Sequence, residues 1–204
     1  MNHKFWPPNG LLSESIRQHF PDDYRGYAVD VGASDGVSVN TTWMLEKKYR
    51  WTVLSVEANP QYRPHLDSNR AFVEICACGK EPQAEARFYV HLDNPEAFSA
   101  LRMAQDKVVG PKSGAKWNTI IVPVRTVDQL LAKWEFPRLD VLCVDTEGTE
   151  VDVMGGCDMA RWKPKVVVVE CWHKTGPTHD YMKELDYSLV DTSADNFVYL
   201  LRRK

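Results

Sequence analysis

Apolar positions along the chain alternate between short runs rich in β-branched residues and longer stretches with helical spacing. In the first third, three apolar runs predict strands, and two periodic stretches predict the helices between them. The predicted strands span 27–31, 51–56 and 71–77, and the predicted helices span 37–49 and 60–69. Strands that alternate with helices are typical of βαβ units, so this pattern predicts a parallel sheet.

The middle of the chain is less regular. Residues 86–92 and 119–124 are predicted strands, and the segment 93–118 lies between them. A segment of this length inside a compact domain is often functional, so we predict an irregular loop or lid there. Thr126 then suits the N-cap of a helix that runs to about Trp134.

Regular alternation returns in the last third. The predicted strands span 139–144, 165–169, 187–190 and 197–201, and the predicted helices span 151–155 and 178–185. The first of these runs is apolar in the way expected of a strand buried on both faces. We therefore predict a single α/β domain over residues 1–204, with an N-terminal extension at 1–25.

Composition narrows the class of protein. The chain has 204 residues, 44% hydrophobic and 26% charged, and a formal net charge of −3. These values are typical of a globular domain, and they argue against a nucleic-acid binder that works by neutralising phosphates. No apolar run reaches the roughly 18 residues of a membrane span, and residues 1–10 lack the apolar core of a signal peptide. We expect no membrane association and a cytoplasmic location. The five cysteines include no C-x-x-C pair, which favours a reduced protein without a zinc site.

A glycine-rich turn follows the first predicted strand at residues 30–36, with the sequence Asp-Val-Gly-Ala-Ser-Asp-Gly. Gly32 and Gly36 allow a tight turn and a close approach of the backbone to a ligand. The spacing is Gly-x-x-x-Gly, which differs from the G-x-G-x-x-G of dinucleotide binders, and the segment lacks the lysine of a P-loop. A turn without any ligand is the alternative interpretation.

Acidic residues end two of the predicted strands. Glu57 follows the glycine-rich turn by about 20 residues, where an acid can accept hydrogen bonds from two ribose hydroxyls. The alternative is an acid that stabilises the helix beginning at Pro60. Residues 145–150, Asp-Thr-Glu-Gly-Thr-Glu, place three acids after the 139–144 strand. Ligands of open α/β sheets bind beyond the carboxyl ends of the strands, although Asp145 could instead cap a helix.

Together these blocks resemble the FkbM-type methyltransferases that depend on S-adenosylmethionine (SAM). The similarity runs from about Gly26 to the end of the chain and rests on blocks in family order: residues 30–36, 39–41, 45–46, 51, 56–60, 66, 69–70, 124–130, 144–150 and 196. The resemblance implies a class I methyltransferase fold, a Rossmann-like α/β sheet of strand order 3-2-1-4-5-7-6 with helices on both faces. It also implies SAM as the methyl donor and a hydroxyl acceptor on a sugar or other small molecule. Residues 98–117 match weakly, which leaves the acceptor open.

When the family's binding positions are transferred to this sequence, the resemblance implies that ten residues contact SAM: Asp30, Gly32, Ala33, Ser34, Gly36, Glu57, Ala58, Ala77, Cys78 and Asp145. The first five would surround the amino-acid part, and Glu57 would bind the ribose. The next three would border the adenine, and Asp145 would lie near the methionine part or the transferred methyl.

An alcohol is a poor nucleophile, so a base should take its proton during methyl transfer. The candidates at the rim are Asp145, Glu170 and His173, with Glu147 close to them in sequence. A divalent cation held by Asp145, Glu147 and Glu170 is an open alternative, whereas our main prediction contains no metal. Two other functions stay open: a SAM-binding module that acts through a partner, and a nucleotide-cofactor oxidoreductase. The oligomeric state is not predicted.

Overall fold

We describe the protein from a computed structural model, over residues 10–38, 40–93, 99–101, 116–171, 176–193 and 195–202. In this part of the chain the strands are β1 Tyr27–Val31, β2 Thr52–Glu57, β3 Phe72–Ile75, β4 Ala77–Cys78, β5 Gln83–His91, β6 Trp117–Arg125, β7 Val141–Val144, β8 Val166–Glu170, β9 Tyr187–Ser193 and β10 Asn196–Leu201. The helices are α1 Gly10–Arg17, α2 Trp43–Lys47, α3 Arg63–Asn69, α4 Val127–Lys133, α5 Glu150–Gly155, α6 Met159–Trp162 and α7 Pro177–Glu184, with a 3₁₀ turn at Pro60–Tyr62.

Seven strands form the central sheet, in the order β3-β2-β1-β7-β8-β10-β9. Numbered within this sheet alone, the order is 3-2-1-4-5-7-6, which confirms the predicted class of fold. Within this sheet the five strands β3, β2, β1, β7 and β8 are parallel, and β10 runs antiparallel to both β8 and β9. The predicted strands 86–92 and 119–124 correspond to β5 and β6, which form with β4 a second sheet in the order β4-β6-β5 that was not predicted.

Side chains alternate across the central sheet, because successive residues of a strand point to opposite faces. Ala28 of β1 packs on one face with Leu12 and Ile16 of α1 and Leu45 of α2. Val29 packs on the other face, together with the apolar sides of α4, α5, α6 and α7. Helices therefore cover both faces, as predicted, and residues 10–17 of the predicted N-terminal extension contribute to one of the two cores.

The predicted strand 71–77 is wrong as a single element. It divides at Cys76, whose N–H donates to the Glu57 carbonyl (3.0 Å), into β3 and β4. Beyond that point Ala77 and Cys78 pair with β6 rather than β2. The division carries the chain from the central sheet into the second sheet, whose core includes Phe88 and Val122.

The predicted helix 37–49 is also wrong in extent, because it begins only at Trp43. The Asn40 Oδ1 accepts hydrogen bonds from the N–H groups of Thr42 (3.0 Å) and Trp43 (2.9 Å). The Asp35 Oδ1 likewise accepts from the Val37 N–H at 2.8 Å. Short polar side chains that bond the local backbone compete with helix formation, so the segment before Trp43 forms turns.

Most of the predicted lid lies outside the described residues, at 94–98 and 102–115. Residues 99–101 are described, and Ala100 exchanges two backbone hydrogen bonds with Tyr89 of β5 (2.9 and 3.0 Å). None of the helices in the described ranges has the length and hydropathy that a membrane crossing needs.

Candidate functional site

A cleft opens beyond the carboxyl ends of β1, β2 and β7. Including its open mouth it measures about 370 Å³, and it is lined by Val31, Gly32, Val56, Glu57, Ala58, Cys76, Ala77, Cys78, Phe88, Ser99, Leu101, Asp145, Thr146 and Thr149. The helix after β1 packs on one face of the sheet, and the helix after β7 packs on the other. The cleft therefore lies where the strand order reverses, the usual place for ligands in open α/β sheets.

Gly32 brings the first strand and β7 into close contact at the base of the cleft. Its φ is +89°, and a Cβ there would lie 1.8 Å from the carbonyl oxygen of Asp145. The Gly32 N–H also donates to the Val56 carbonyl at 2.9 Å. Only glycine fits this position, because any side chain would collide with backbone in a conformation that L-residues rarely adopt.

Glu57 ends β2 and is 8% exposed. Its Oε2 accepts a hydrogen bond from the Ser34 N–H (2.9 Å), and its Oε1 accepts one from the Asn59 N–H (2.7 Å). Burial raises the pKa of Glu57 to about 7, although these two bonds favour the ionised form. The carboxylate therefore holds the glycine-rich turn and also lines the cleft.

Asp30 belongs to a buried polar network on the side of the sheet that α2 covers. Its Oδ2 accepts hydrogen bonds from Asn40 Nδ2 (2.8 Å) and Thr42 Oγ1 (2.7 Å). The fully buried Arg70 donates to Thr42 Oγ1 (2.7 Å) and to the carbonyl of Gly36 (3.0 Å). Asp30 thus shapes the segment after β1 and does not line the cleft.

Three other predicted SAM contacts, Ala33, Ser34 and Gly36, also lie outside the cleft lining. Ala33 is buried and donates its N–H to the Val56 carbonyl at 3.0 Å. Gly36 has a φ of +79°, and a Cβ there would lie 2.8 Å from the side chain of Arg70. These residues set the path of the turn. The other six predicted contacts, at Gly32, Glu57, Ala58, Ala77, Cys78 and Asp145, line one cleft.

An acidic cluster of Asp145, Glu147 and Glu170 adjoins the cleft through Asp145. One carboxylate oxygen from each lies within 4.8 Å of the others, and Glu170 is buried, Glu147 half-buried and Asp145 exposed to the cleft. Burial raises the pKa of Glu147 and of Glu170, and the charge of Asp145 raises both further. The surrounding protein atoms raise the pKa of Asp145 as well. His173, the third predicted base, lies outside the described residues.

Sequence reasoning missed one wall of the cleft. Phe88 comes from β5 of the second sheet, and Ser99 and Leu101 come from the described part of the predicted lid. Phe88 packs with Ala77, and Ala58 and Leu101 pack against the same small core. No local signal marks these residues, because the wall exists only once the second sheet folds against the edge of the first.

The strand order and the position of the cleft define the class of a Rossmann-like methyltransferase domain. The family model for the methyltransferase FkbM domain matches residues 30–189, and the chain belongs to this family. The crystal structure of methyltransferase FkbM from Methylobacillus flagellatus KT is 17% identical with a TM-score of 0.58, covering 97% of this chain and 49% of that chain. The present chain thus spans about half the length of that protein, and the likeness shows the fold. Precorrin-6y C5,15-methyltransferase from Geobacter metallireducens GS-15 is 11% identical with a TM-score of 0.47, covering 98% of this chain and 91% of that chain. No curated protein is similar enough to match.

Proposed function

We propose that the chain is a SAM-dependent methyltransferase that methylates a hydroxyl oxygen of a small molecule or sugar. One observation carries the proposal: Gly32, Glu57 and Asp145 line a single cleft at the point where the strand order reverses. Family membership supports the methyltransferase activity. The donor and the acceptor class are the parts that the proposal adds.

The residues around Glu57 fit an adenosyl group. A carboxylate has about four acceptor positions, and Glu57 uses some of them for the N–H groups of Ser34 and Asn59. The remaining acceptor capacity can serve the hydroxyls of a ribose. Ala58, Ala77 and Phe88 supply the apolar surface that a purine ring needs.

The acidic base of the cleft suits a cationic donor. Asp145 extends the cleft lining toward Glu147 and Glu170, with no described lysine or arginine in an ion pair with any of the three. Such a site attracts positive charge, and both the sulfonium and the ammonium of SAM are positive. The negative edge of the sheet therefore favours SAM over an anionic cofactor.

When bound, SAM supplies a methyl group to the acceptor oxygen, so that a carbon–oxygen bond forms, the carbon–sulfur bond breaks and S-adenosylhomocysteine remains. The acceptor hydroxyl gives up its proton in this reaction. Asp145 is placed to receive it, because its raised pKa makes it a better proton acceptor than an ordinary aspartate. Glu170 lies beside Asp145 and can share the proton with it. His173 is the alternative acceptor.

The first experiment measures S-adenosylhomocysteine binding by calorimetry and by the rise in melting temperature. We expect Glu57→Gln to weaken binding about 10- to 100-fold, because one hydrogen bond to a charged group is worth about 1.5–3 kcal/mol. Glu184→Gln is the matched control, since Glu184 lies exposed on α7 away from the cleft. Equal affinities for the two variants, or no binding by the unmodified protein, would contradict the proposal.

The second experiment identifies the acceptor with methyl-labelled SAM and a panel of sugars, polyketides and small phenols. Transfer of label to an oxygen supports the proposal, and Asp145→Asn should lower kcat more than it raises KM. Tight S-adenosylhomocysteine binding without transfer to any acceptor would instead favour a SAM-binding module that acts through a partner.

A further inference from the structure

The acidic cluster has dimensions that suit one metal ion. Its three carboxylate oxygens all lie within 4.8 Å of one another. From usual metal–oxygen distances, oxygens on opposite sides of one ion lie about 4.1 Å apart for Mg²⁺ and about 4.6–5.2 Å apart for Ca²⁺. The spacing of the three oxygens is therefore compatible with their binding one cation of this class.

Glu170 gives a second and independent indication of a ligand. It is 7% exposed, and its Oε2 has no hydrogen-bond partner among the described residues. The buried Oε2 of Glu147 is unpartnered too. A buried carboxylate oxygen without a partner is costly, and native structures usually satisfy such an atom with water, an ion or a ligand.

The neighbouring Glu150 differs from the acidic cluster, because backbone N–H groups satisfy its buried carboxylate. Its Oε1 accepts hydrogen bonds from the N–H groups of Gly148 (2.8 Å) and Thr146 (3.2 Å). The acidic cluster receives no such backbone donors from the described residues. Glu150 and Asp195, whose charges also act on the cluster, are acids as well, and they add to the repulsion. Since no lysine or arginine of the described ranges forms an ion pair with the cluster, protons or an external cation can balance this charge.

We propose that Asp145, Glu147 and Glu170 together bind one divalent cation of the class that prefers oxygen ligands: Mg²⁺, Mn²⁺ or Ca²⁺. Carboxylates are typical ligands of this class, whereas sites for zinc or copper usually include histidine or cysteine. Because Asp145 also lines the cleft, a bound cation would meet the acceptor oxygen there and make its hydroxyl more acidic. That role rests on the proposed function, whereas cation binding itself does not.

The test titrates the whole chain, saturated with S-adenosylhomocysteine, with MnCl₂ and follows free Mn²⁺ by electron paramagnetic resonance. We expect one Mn²⁺ per chain, displaced by excess Mg²⁺. Glu170→Gln should raise the Kd for Mn²⁺ about tenfold or more, because the number of charged ligands sets the affinity. Glu184→Gln should leave it unchanged. No Mn²⁺ binding, or equal Kd values for the two variants, would overturn the proposal.

Melting temperatures show that a loss of binding does not come from misfolding. In EDTA, Glu170→Gln should melt no lower than the unmodified protein, because glutamine keeps the shape and removes a buried acid whose Oε2 has no partner among the described residues. Added Mn²⁺ should then raise the melting temperature of the unmodified protein alone; an equal rise in the variant would contradict the site. A rise in melting temperature induced by S-adenosylhomocysteine in EDTA tests binding of the donor separately. The proposal of SAM binding and the proposal of cation binding can therefore fail independently.

Discussion

The ionisation of Glu57 should make the stability of the fold depend on pH. Its pKa rises from 4.5 to about 7 on folding, mainly because the side chain is buried. Between these two values the folded state binds more protons than the unfolded state, so the free energy of unfolding falls as pH rises. The stabilisation is complete below pH 4.5 and is lost as the pH passes 7. At about 1.4 kcal/mol per pKa unit, Glu57 contributes about 3 kcal/mol to this change.

The variant Glu57→Gln isolates that contribution. Glutamine keeps the shape but has a single acceptor oxygen, so one of the N–H groups of Ser34 and Asn59 loses its partner. This loss costs about 1–3 kcal/mol at every pH. Glutamine does not ionise, so the difference between variant and unmodified protein should move by about 3 kcal/mol in favour of the variant between pH 4.5 and 8.

Urea unfolding followed by tryptophan fluorescence, in EDTA and without donor, measures both proteins at pH 4.5 and pH 8. In melting temperature the predicted change is about 6–12 °C for a chain of this size. Glu184→Gln should show the same difference from the unmodified protein at both pH values. A constant difference for Glu57→Gln would refute the reasoning, because it would mean that burial does not perturb this carboxyl group.

Three further predictions concern stability, each measured by urea unfolding. Gly32→Ala should lower the free energy of unfolding by more than about 3 kcal/mol, because its Cβ would lie 1.8 Å from the carbonyl oxygen of Asp145. Gly148→Ala, at φ +101° with open space around it, should lower the free energy of unfolding by only about 1 kcal/mol. Arg70→Met should cost about 3–5 kcal/mol, since it leaves the buried Asp30 network without its cation. Thr126→Ala should cost about 1 kcal/mol by removing the hydrogen bond to the Gln129 N–H (3.1 Å), with S-adenosylhomocysteine affinity unchanged.

The central sheet could be predicted from the sequence because its strands carry strong local signals. Residues 139–144 and 165–169 are apolar runs buried on both faces. The structure places β7 within the first, and β8 overlaps the second and ends one residue later, at Glu170. Glu57 and Gly32 could be predicted as neighbours for a topological reason, since both follow adjacent parallel strands. The resemblance to a family supplied the strand order, which periodicity alone does not determine.

Long-range contacts explain what the sequence could not show. Residues 71–77 look continuous in β propensity, but the partner of Ala77 is β6, some 45 residues away. Asp30 is a predicted SAM contact, and the sequence did not show its place in a buried polar network. Its partners Asn40, Thr42 and Arg70 are recognisable only after the turn and α3 fold together.

The number of hydrogen bonds that a carboxylate accepts from the chain distinguishes structural acids from acids that are available to a ligand. Asp30 and Glu150 each receive hydrogen bonds from nearby donors of the chain, which offset the cost of burial. Among the described residues, no donor outside the acidic cluster is directed at Asp145, Glu147 or Glu170. The fold therefore leaves carboxyl groups without donors from the described part of the chain where the cleft and the cluster meet. Because Asp145 belongs to both, a cation and a positively charged donor would act on the same carboxylate, and the affinity for each should depend on the other.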